Sequence, residues 1–375
     1  IIAEVTFYFR YDAKRVVMKE ILLILVGGTI CTALTEHGTL SVSSNAGTRL
    51  VQGFMASDSP YKDSVNITTS ENLGILSENM TVDKWNLIIK AYKQAIAEKQ
   101  YDGVIFAHGT DTLAYSASLF SMLFADTKIP VFFASSNARL GTPTANGDEN
   151  FRCAVECICR GFAPNVYVPY KNISDGRMYL HLGSRVEQCK NYSDDFYSVG
   201  AINVTDFNEA DFVSLNEKLK KENSAADKKN IVDLNDEITL SDCVLLLNPY
   251  VGINYSAYNY GSFSAVLHGS YHCGTACVEI KDEGDKYTNH SILFMLDKCA
   301  ECGVDAYITP TRQVGEFYDT IRVMANHGER KINCLYGTTQ ETAYAKLLIA
   351  YSVFKDKNKI KDFLEAEINN ELIYK

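Results

Sequence analysis

Apolar positions along this chain fall into short unbroken runs, separated by longer stretches where they recur at helical spacing. Residues 20–26 hold only apolar side chains after Glu20 and run directly into Gly27-Gly28-Thr29. A run of that kind, with no polar alternation, predicts a strand covered on both faces, as in a parallel sheet. Over 82–97, Trp85, Ile88, Ile89, Tyr92 and Ile96 share one stripe, which predicts an amphipathic helix. Asp102-Gly103 then leads into a second apolar run at 104–107. The next helix is expected over 112–125, with Leu113, Leu119, Phe120, Leu123 and Phe124 as its apolar members. Further buried strands are predicted at 131–134 and 166–168.

Strand, helix, strand, helix at this spacing predicts an open parallel sheet with helices on both faces. In such sheets ligands bind beyond the carboxyl ends of the strands. Two polar clusters fall at such ends, Gly27-Gly28-Thr29 and His108-Gly109-Thr110-Asp111-Thr112. From about residue 206 the chain turns rich in Asp, Glu, Lys, Asn and Ser, including Lys218 to Lys221. That reads as a solvated connection with room for a short helix. Strand signals resume at 243–247 and 265–267, a helix at 291–302, a strand at 306–309, and helix again from about 338. The expected fold class is α/β in two domains. The larger N-terminal one has a mostly parallel sheet flanked by helices, and a smaller α/β domain follows. The expected division is 18–205, a linker over 206–241, and 242–375. Residues 1–17 have no clear period, and Met18-Lys19-Glu20 resembles a natural start, so 1–17 is expected to be a disordered or non-native extension.

Composition narrows the classes. With 375 residues, 46% of them apolar, the chain can bury a sizeable core without staples. The formal charge is -10 and no dense basic block occurs, so neither nucleic acid nor an anionic membrane is an expected partner. The 11 cysteines show no paired metal spacing; Cys153, Cys157 and Cys159 share one helix pattern, and Cys299 and Cys302 form a lone pair. Free thiols in a reducing cytoplasm are expected, with no metal and no cofactor. The run 21–26 is too short to span a bilayer, and no secretory signal is visible.

A hydroxyl after two glycines sits where backbone approaches a ligand closely, yet Thr29 alone reads as an incidental turn residue. Neither GxGxxG nor GxxxxGK[ST] is present to support a nucleotide. Asp111 alone reads as a cap on the following helix. Together, a hydroxyl and a carboxylate at one strand end and a second hydroxyl at a neighbouring one can enclose a small polar ligand and move a proton on it.

At these residues the chain resembles the bacterial-type L-asparaginase family. Gly27-Gly28-Thr29-Ile30 after a buried strand, His108-Gly109-Thr110-Asp111-Thr112, and Ser77-Glu78-Asn79-Met80-Thr81 carry the likeness. It extends from about residue 20 to the C-terminal helix at 339–347, and Asp111 to Leu119 is similar to the cytoplasmic, type I branch. The resemblance implies hydrolysis of L-asparagine, with L-glutamine as a second substrate, to the acid and ammonia through a threonine acyl-enzyme. It implies Thr29 as the nucleophile and Thr110 as the second threonine. Asp111 would bind the α-ammonium and join a Thr–Lys–Asp relay, Ser77 would hold the α-carboxylate, and Gly28 and Glu78 would also meet the substrate. The lysine of the relay is assigned to Lys190, although counted from Gly183 and Arg185 it falls about two residues late. Counting from Asp175-Gly176-Arg177 places His181 there instead. A homodimer or homotetramer is implied as well.

Three positions depart from the family pattern. No tyrosine occurs between Tyr11 and Tyr61, so the loop after the nucleophile lacks the expected one; Thr39 stands nearest its place. Thr144-Ala145-Asn146-Gly147 replaces a Ser-x-Asp-Gly loop, and Glu78 adds a charge. His108 is expected to serve a structural hydrogen bond. His268, His272 and Cys273 are expected to line the second domain's strand end, where asparagine can act as an effector. Two other readings remain: the amidase subunit of a tRNA-dependent amidotransferase, and a catalytically poor amino-acid binding or sensing protein.

Overall fold

A computed structural model of the chain describes residues 18–34, 40–43, 45–225, 232–234, 237–280, 287–311, 318–327 and 332–373. The expected extension at 1–17 and the loop position Thr39 lie outside the described residues.

The first nine strands are β1 (Lys19–Leu25), β2 (Thr32–Leu34), β3 (Leu40–Val42), β4 (Val65–Thr69), β5 (Gly103–Ala107), β6 (Val131–Ala134), β7 (Val166–Lys171), β8 (Met178–Leu182) and β9 (Ile202–Asn203). Seven of them form one sheet in the order β4-β1-β5-β6-β7-β8-β9, while β2 and β3 pair as a separate antiparallel hairpin. From β4 to β7 all pairings are parallel; β8 and β9 close the far edge antiparallel. The second sheet, β10 (Val244–Leu247), β11 (Ala265–Gly269), β12 (Asp305–Thr311) and β13 (Asn333–Tyr336), is parallel throughout. Helices are α1 (Ala46–Ala56), α2 (Val82–Glu98), α3 (Leu113–Leu123), α4 (Gly147–Cys159), α5 (Glu209–Ala225), α6 (Ile292–Cys302), α7 (Asp319–Ala325), α8 (Gln340–Val353) and α9 (Lys357–Glu365). This is the two-domain α/β architecture expected.

Why the strand runs are apolar throughout is visible in the packing. Leu22 and Ile24 of β1 go to one face with Val104 and Phe106 of β5 and meet α2, α3 and α8. Ile21, Leu23 and Leu25 go to the other face with Ile105 and Phe132 and meet α1 and α4. Each face is covered, so the polar half of a strand alternation has nowhere to be. Phe106 and Phe133 stack at 4.8 Å between centroids, and Phe120 and Phe124 of α3 and its C-terminal end pack onto Phe106.

The polar stretch after 205 opens into a helix. Its 17-residue helix α5 buries Phe212, Leu215 and Leu219 against the second face, while Lys218, Lys220 and Lys221 stay exposed. Ile96, expected on the apolar stripe of α2, is instead half-exposed in the last turn.

Helix α8 joins the two sheets. One side packs on α3, where Thr342 donates to Ser118 Oγ at 3.0 Å; residues of β10, β11 and β12 belong to the same apolar cluster. Enclosed on all sides, it carries apolar residues all round. Glu341, Thr342 and Lys346 are its buried polar exceptions, and Lys346 is the cation among them. Its ammonium pairs with Glu371 at 2.9 Å and donates to the Ala366 carbonyl at 2.6 Å, with both side chains buried. The Glu371 carboxylate also accepts the N–H groups of Ile368 and Asn369. Arg185 grips the same C-terminal strap through the carbonyls of Asn370 and Leu372.

Removing one partner of a buried, hydrogen-bonded pair leaves a charge without compensation. Glu371→Ala is expected to lower unfolding stability by about 3–5 kcal/mol in urea titrations. The double change Lys346→Met, Glu371→Leu should cost less than Glu371→Ala alone. A double variant at least as unstable as the single one would refute this account of the pair.

Candidate active site

Strand order places the site. β1 lies between β4 and β5, and the chain moves from β1 to β4 on one side, then crosses through α2 to β5 on the other. The loops after β1 and β5 therefore leave the sheet side by side, at a topological switch point. Val26 and Gly27 both donate to the Ala107 carbonyl, which ties the two strand ends together. Ile75 bridges to Gly27 from a third segment.

Gly27 and Gly28 have φ of 137° and 75°, a backbone region that L side chains resist. A Cβ on Gly28 would lie 2.1 Å from the Gly109 Cα, and one on Gly109 would lie 2.3 Å from Ser77 Oγ. Three loops thus meet at contact distance around these two glycines. Thr29 follows one glycine and Thr110 the other, so the two threonines flank one contact, each partly exposed.

Behind Thr110, Asp111 is exposed, and its Oδ2 accepts from Ser77 Oγ at 3.1 Å while its N–H points back at the same hydroxyl at 3.3 Å. Thr112, not Asp111, is the N-cap residue of α3, and its hydroxyl donates to the Ser77 carbonyl. The carboxylate is accordingly not used as a helix cap. Glu78 is exposed on the turn Ser77–Asn79.

His108 is fully committed. Its Nδ1 lies 2.7 Å from the Gly109 carbonyl, so Nδ1 carries the proton. Its Nε2 then accepts from Ser116 Oγ, which itself accepts from the Trp85 indole N–H at 2.8 Å. Burial holds the ring's pKa down to about 4, against the opposing pull of the Gly109 carbonyl and the Asp111 charge. It is a neutral structural imidazole, as expected. Asn146 is structural too: it exchanges two hydrogen bonds with Asn137 and donates to the Lys171 carbonyl.

Two residues are expected to supply the amine. Lys190 sits on an exposed turn, 57% of its side chain accessible, and its ammonium lies 3.7 Å from Glu187. The relay assignment calls for a buried amine there, and the structure does not provide one. His181 is inside β8, its Nδ1 2.8 Å from Ser198 Oγ, held neutral near 4 by burial. The side chain that reaches Asp111 from this segment is Gln188, whose Nε2 donates to the Asp111 carbonyl at 2.6 Å. Its Oε1 is buried without a partner among the described residues. The spacing count points two residues before Lys190, which is this position; chemical type favours the lysine.

One more acid stands close behind. Glu341, in the first turn of α8, is 6% exposed and accepts the Gln188 main-chain N–H at 3.2 Å. Burial pushes its carboxyl up to about 7; its own main-chain N–H and that of Gln188 oppose the rise, Glu187 adds to it and Lys190 lowers it. In the second domain, His268 is buried in β11 with Nε2 2.7 Å from the Tyr255 hydroxyl, and Cys273 lies 3.1 Å from His272 Nε2. Among the described residues no cluster of three metal-binding side chains occurs, and no helix is long and apolar enough to cross a membrane.

The family described as "Asparaginase, N-terminal" matches residues 20–220. The L-asparaginase of Thermococcus kodakarensis is 30% identical over 169 residues, 45% of this chain and 47% of that protein. A glutamyl-tRNA(Gln) amidotransferase component from Methanosarcina acetivorans is also 30% identical, over 188 residues, 50% of this chain and 43% of that one. In both cases the match spans less than half of the relative's length. The crystal structure of L-asparaginase I from Vibrio cholerae shares the fold, with a TM-score of 0.66 over 95% of this chain and 99% of that one, at 20% identity.

His108, His181 and His268 are each held near 4 by burial and are neutral in the fold. In the unfolded chain they titrate at about 6.5. Their contribution is therefore complete above about pH 6.5 and is lost as pH falls towards about 4. Glu341, raised, contributes with the opposite sign in part of that window, so the comparison is between variants. His181→Gln is expected to show a shallower loss of urea stability between about pH 6.5 and about pH 4.5 than the parent chain. Parallel pH curves would contradict it.

Proposed function

Because this chain belongs to the asparaginase family, we propose that it is an amidohydrolase that releases ammonia from the side-chain amide of L-asparagine. The observation supporting this reading is the contact of Gly28 with Gly109, since Thr29 follows the one and Thr110 the other, beside the hydrogen-bonded Ser77–Asp111 pair. In this reading the Thr29 oxygen bonds to the amide carbon and the hydroxyl proton passes to the amide nitrogen, which carries it away as it leaves. The oxyanion is held by neighbouring main-chain N–H groups. The C–N bond then breaks, the nitrogen leaves as ammonia with that proton, and water cleaves the resulting ester to give aspartate and free Thr29. Thr110 assists on the opposite side of the amide. Asp111 receives the α-ammonium and Ser77 the α-carboxylate, with Gly28 and Glu78 at the rim. Neither metal nor organic cofactor takes part. We place the protein in the cytoplasm as a homodimer or homotetramer of the type I kind.

We read the relay as the point of difference. From the segment after β8 it is Gln188 that bonds Asp111, at its main-chain carbonyl, and an amide cannot take up a proton at neutral pH. Lys190 would have to leave Glu187 and turn inward to serve. This supports slow turnover, and with the lack of a tyrosine after Thr29 it favours a sensing protein as a second reading. Likeness to the amidotransferase component favours a third, in which a partner protein would receive the ammonia.

Ammonia release by the isolated chain, supplied with asparagine and then glutamine, separates these. Release is expected with asparagine in excess of glutamine. Thr29→Ala and Thr110→Ala should each lower it by at least about a hundredfold with the thermal midpoint retained. A rate like that of the parent chain in either variant removes that residue from the mechanism. Asparagine binding without ammonia would leave the sensing reading in its place.

A further inference from the structure

We propose that Glu341 and Gln188 form a positioning pair for this site, the buried carboxyl clamping the Gln188 main chain and the Gln188 amide fixing Asp111. The inference rests on the proposed amidohydrolase reading and deepens it. A continuous hydrogen-bonded path runs from α8 to Ser77. Glu341 Oε1 accepts the Gln188 N–H at 3.2 Å, Gln188 Nε2 donates to the Asp111 carbonyl at 2.6 Å, and Ser77 Oγ donates to Asp111 Oδ2 at 3.1 Å. Ser77 in turn packs on Gly109. Each link joins a different element: α8, the segment after β8, the start of α3 and the turn at Ser77–Asn79.

Gln188 does not hold itself in place. Its Oε1 is buried with no partner among the described residues, so one half of the amide gains nothing from its position. The segment is held on one side by main-chain bonds from Glu187 to Tyr197 and from Lys190 to Asp195, and Glu341 adds the bond at Gln188 itself, next to the amide that meets Asp111. The groups facing Glu341 are Glu187 and Lys190 on that segment and Tyr115 on α3, whose hydroxyl accepts from Gln340 at 3.3 Å. Among the described residues no cation is paired with the carboxyl, since Lys190 lies against Glu187. Glu341 therefore changes charge near neutrality, where an ordinary carboxyl is already ionised. An ionised carboxylate accepts an N–H more strongly than a neutral acid does. The clamp, and with it the grip on a substrate ammonium at Asp111, should tighten as pH rises through about 7.

The competing account is a simple helix-end acid, favoured by the dipole in the first turn of α8. It predicts lost stability and no effect on substrate affinity with pH. The test measures KM and kcat for ammonia release from asparagine between about pH 5.5 and about pH 8.5. Parent chain, E341Q and Q188L are compared, with a thermal midpoint at each pH. In the parent chain KM should fall several-fold through neutrality. E341Q should stay at the low-pH KM throughout, and Q188L should raise KM several-fold and flatten its pH dependence, both with larger changes in KM than in kcat. An inflection that persists in E341Q, or KM unchanged in both variants, overturns the proposal. Should E341Q fail to fold, Q188L alone decides it by the same criterion. If the parent chain releases no ammonia from either amide, the amidohydrolase reading falls on its own. Calorimetric titration with L-aspartate then decides the positioning role. A pH-dependent Kd that E341Q abolishes supports it; identical profiles, or no binding, overturn it.

Discussion

Where the loops after β1 and β5 meet, main chain touches main chain. The Gly28–Gly109 approach leaves no room for a single methyl group on either residue. Everything else at the site depends on that closeness. It brings the residues just before Thr29 and Thr110 into contact, and it sets Ser77 where it reaches both the Asp111 carboxylate and its N–H. Larger side chains anywhere on this contact would separate the strand ends and pull the polar groups apart. The sheet cooperates, because the order β4-β1-β5 makes adjacent neighbours of loops that are far apart in sequence.

Rigidity around this contact comes from groups that do no chemistry. The Trp85–Ser116–His108–Gly109 chain fixes the carbonyl next to the contact, and a neutral imidazole can do this without burying a charge. The stacked Phe106 and Phe133 hold β5 and β6 beneath it. On the other side, the segment carrying Gln188 is held by Glu341 and by Arg185 through the C-terminal strap.

The central strands are legible in the sequence because burial on both faces removes polar alternation, as at Ile21 to Leu25 and Val104 to Ala107. β4 is not, since Val65-Asn66-Ile67-Thr68-Thr69 is an edge strand with mixed exposure. β8 and β9 escape notice because their antiparallel pairing leaves weaker runs. At the site, Gly28, Thr29, Ser77, Thr110 and Asp111 can be read from their motifs. Gln188 cannot be read by type, since an amide carries no obvious chemistry; only the count of residues points to it. Glu341 gives no signal at all. Its burial is a property of α8 lying between α3 and the second sheet, which no local pattern announces.

The enclosure of α8 also bears on how the chain reaches its fold. The α3 face of the large sheet, with Leu119, Phe120 and Leu123, is finished only by residues beyond 340. While a ribosome is still producing the second sheet, that apolar surface has no cover and no grip from the strap at Asn370. A nascent chain stalled there would present a sticky plane to its neighbours. Fragments cut before α8 would keep that apolar face uncovered and would make poor stand-ins for the chain.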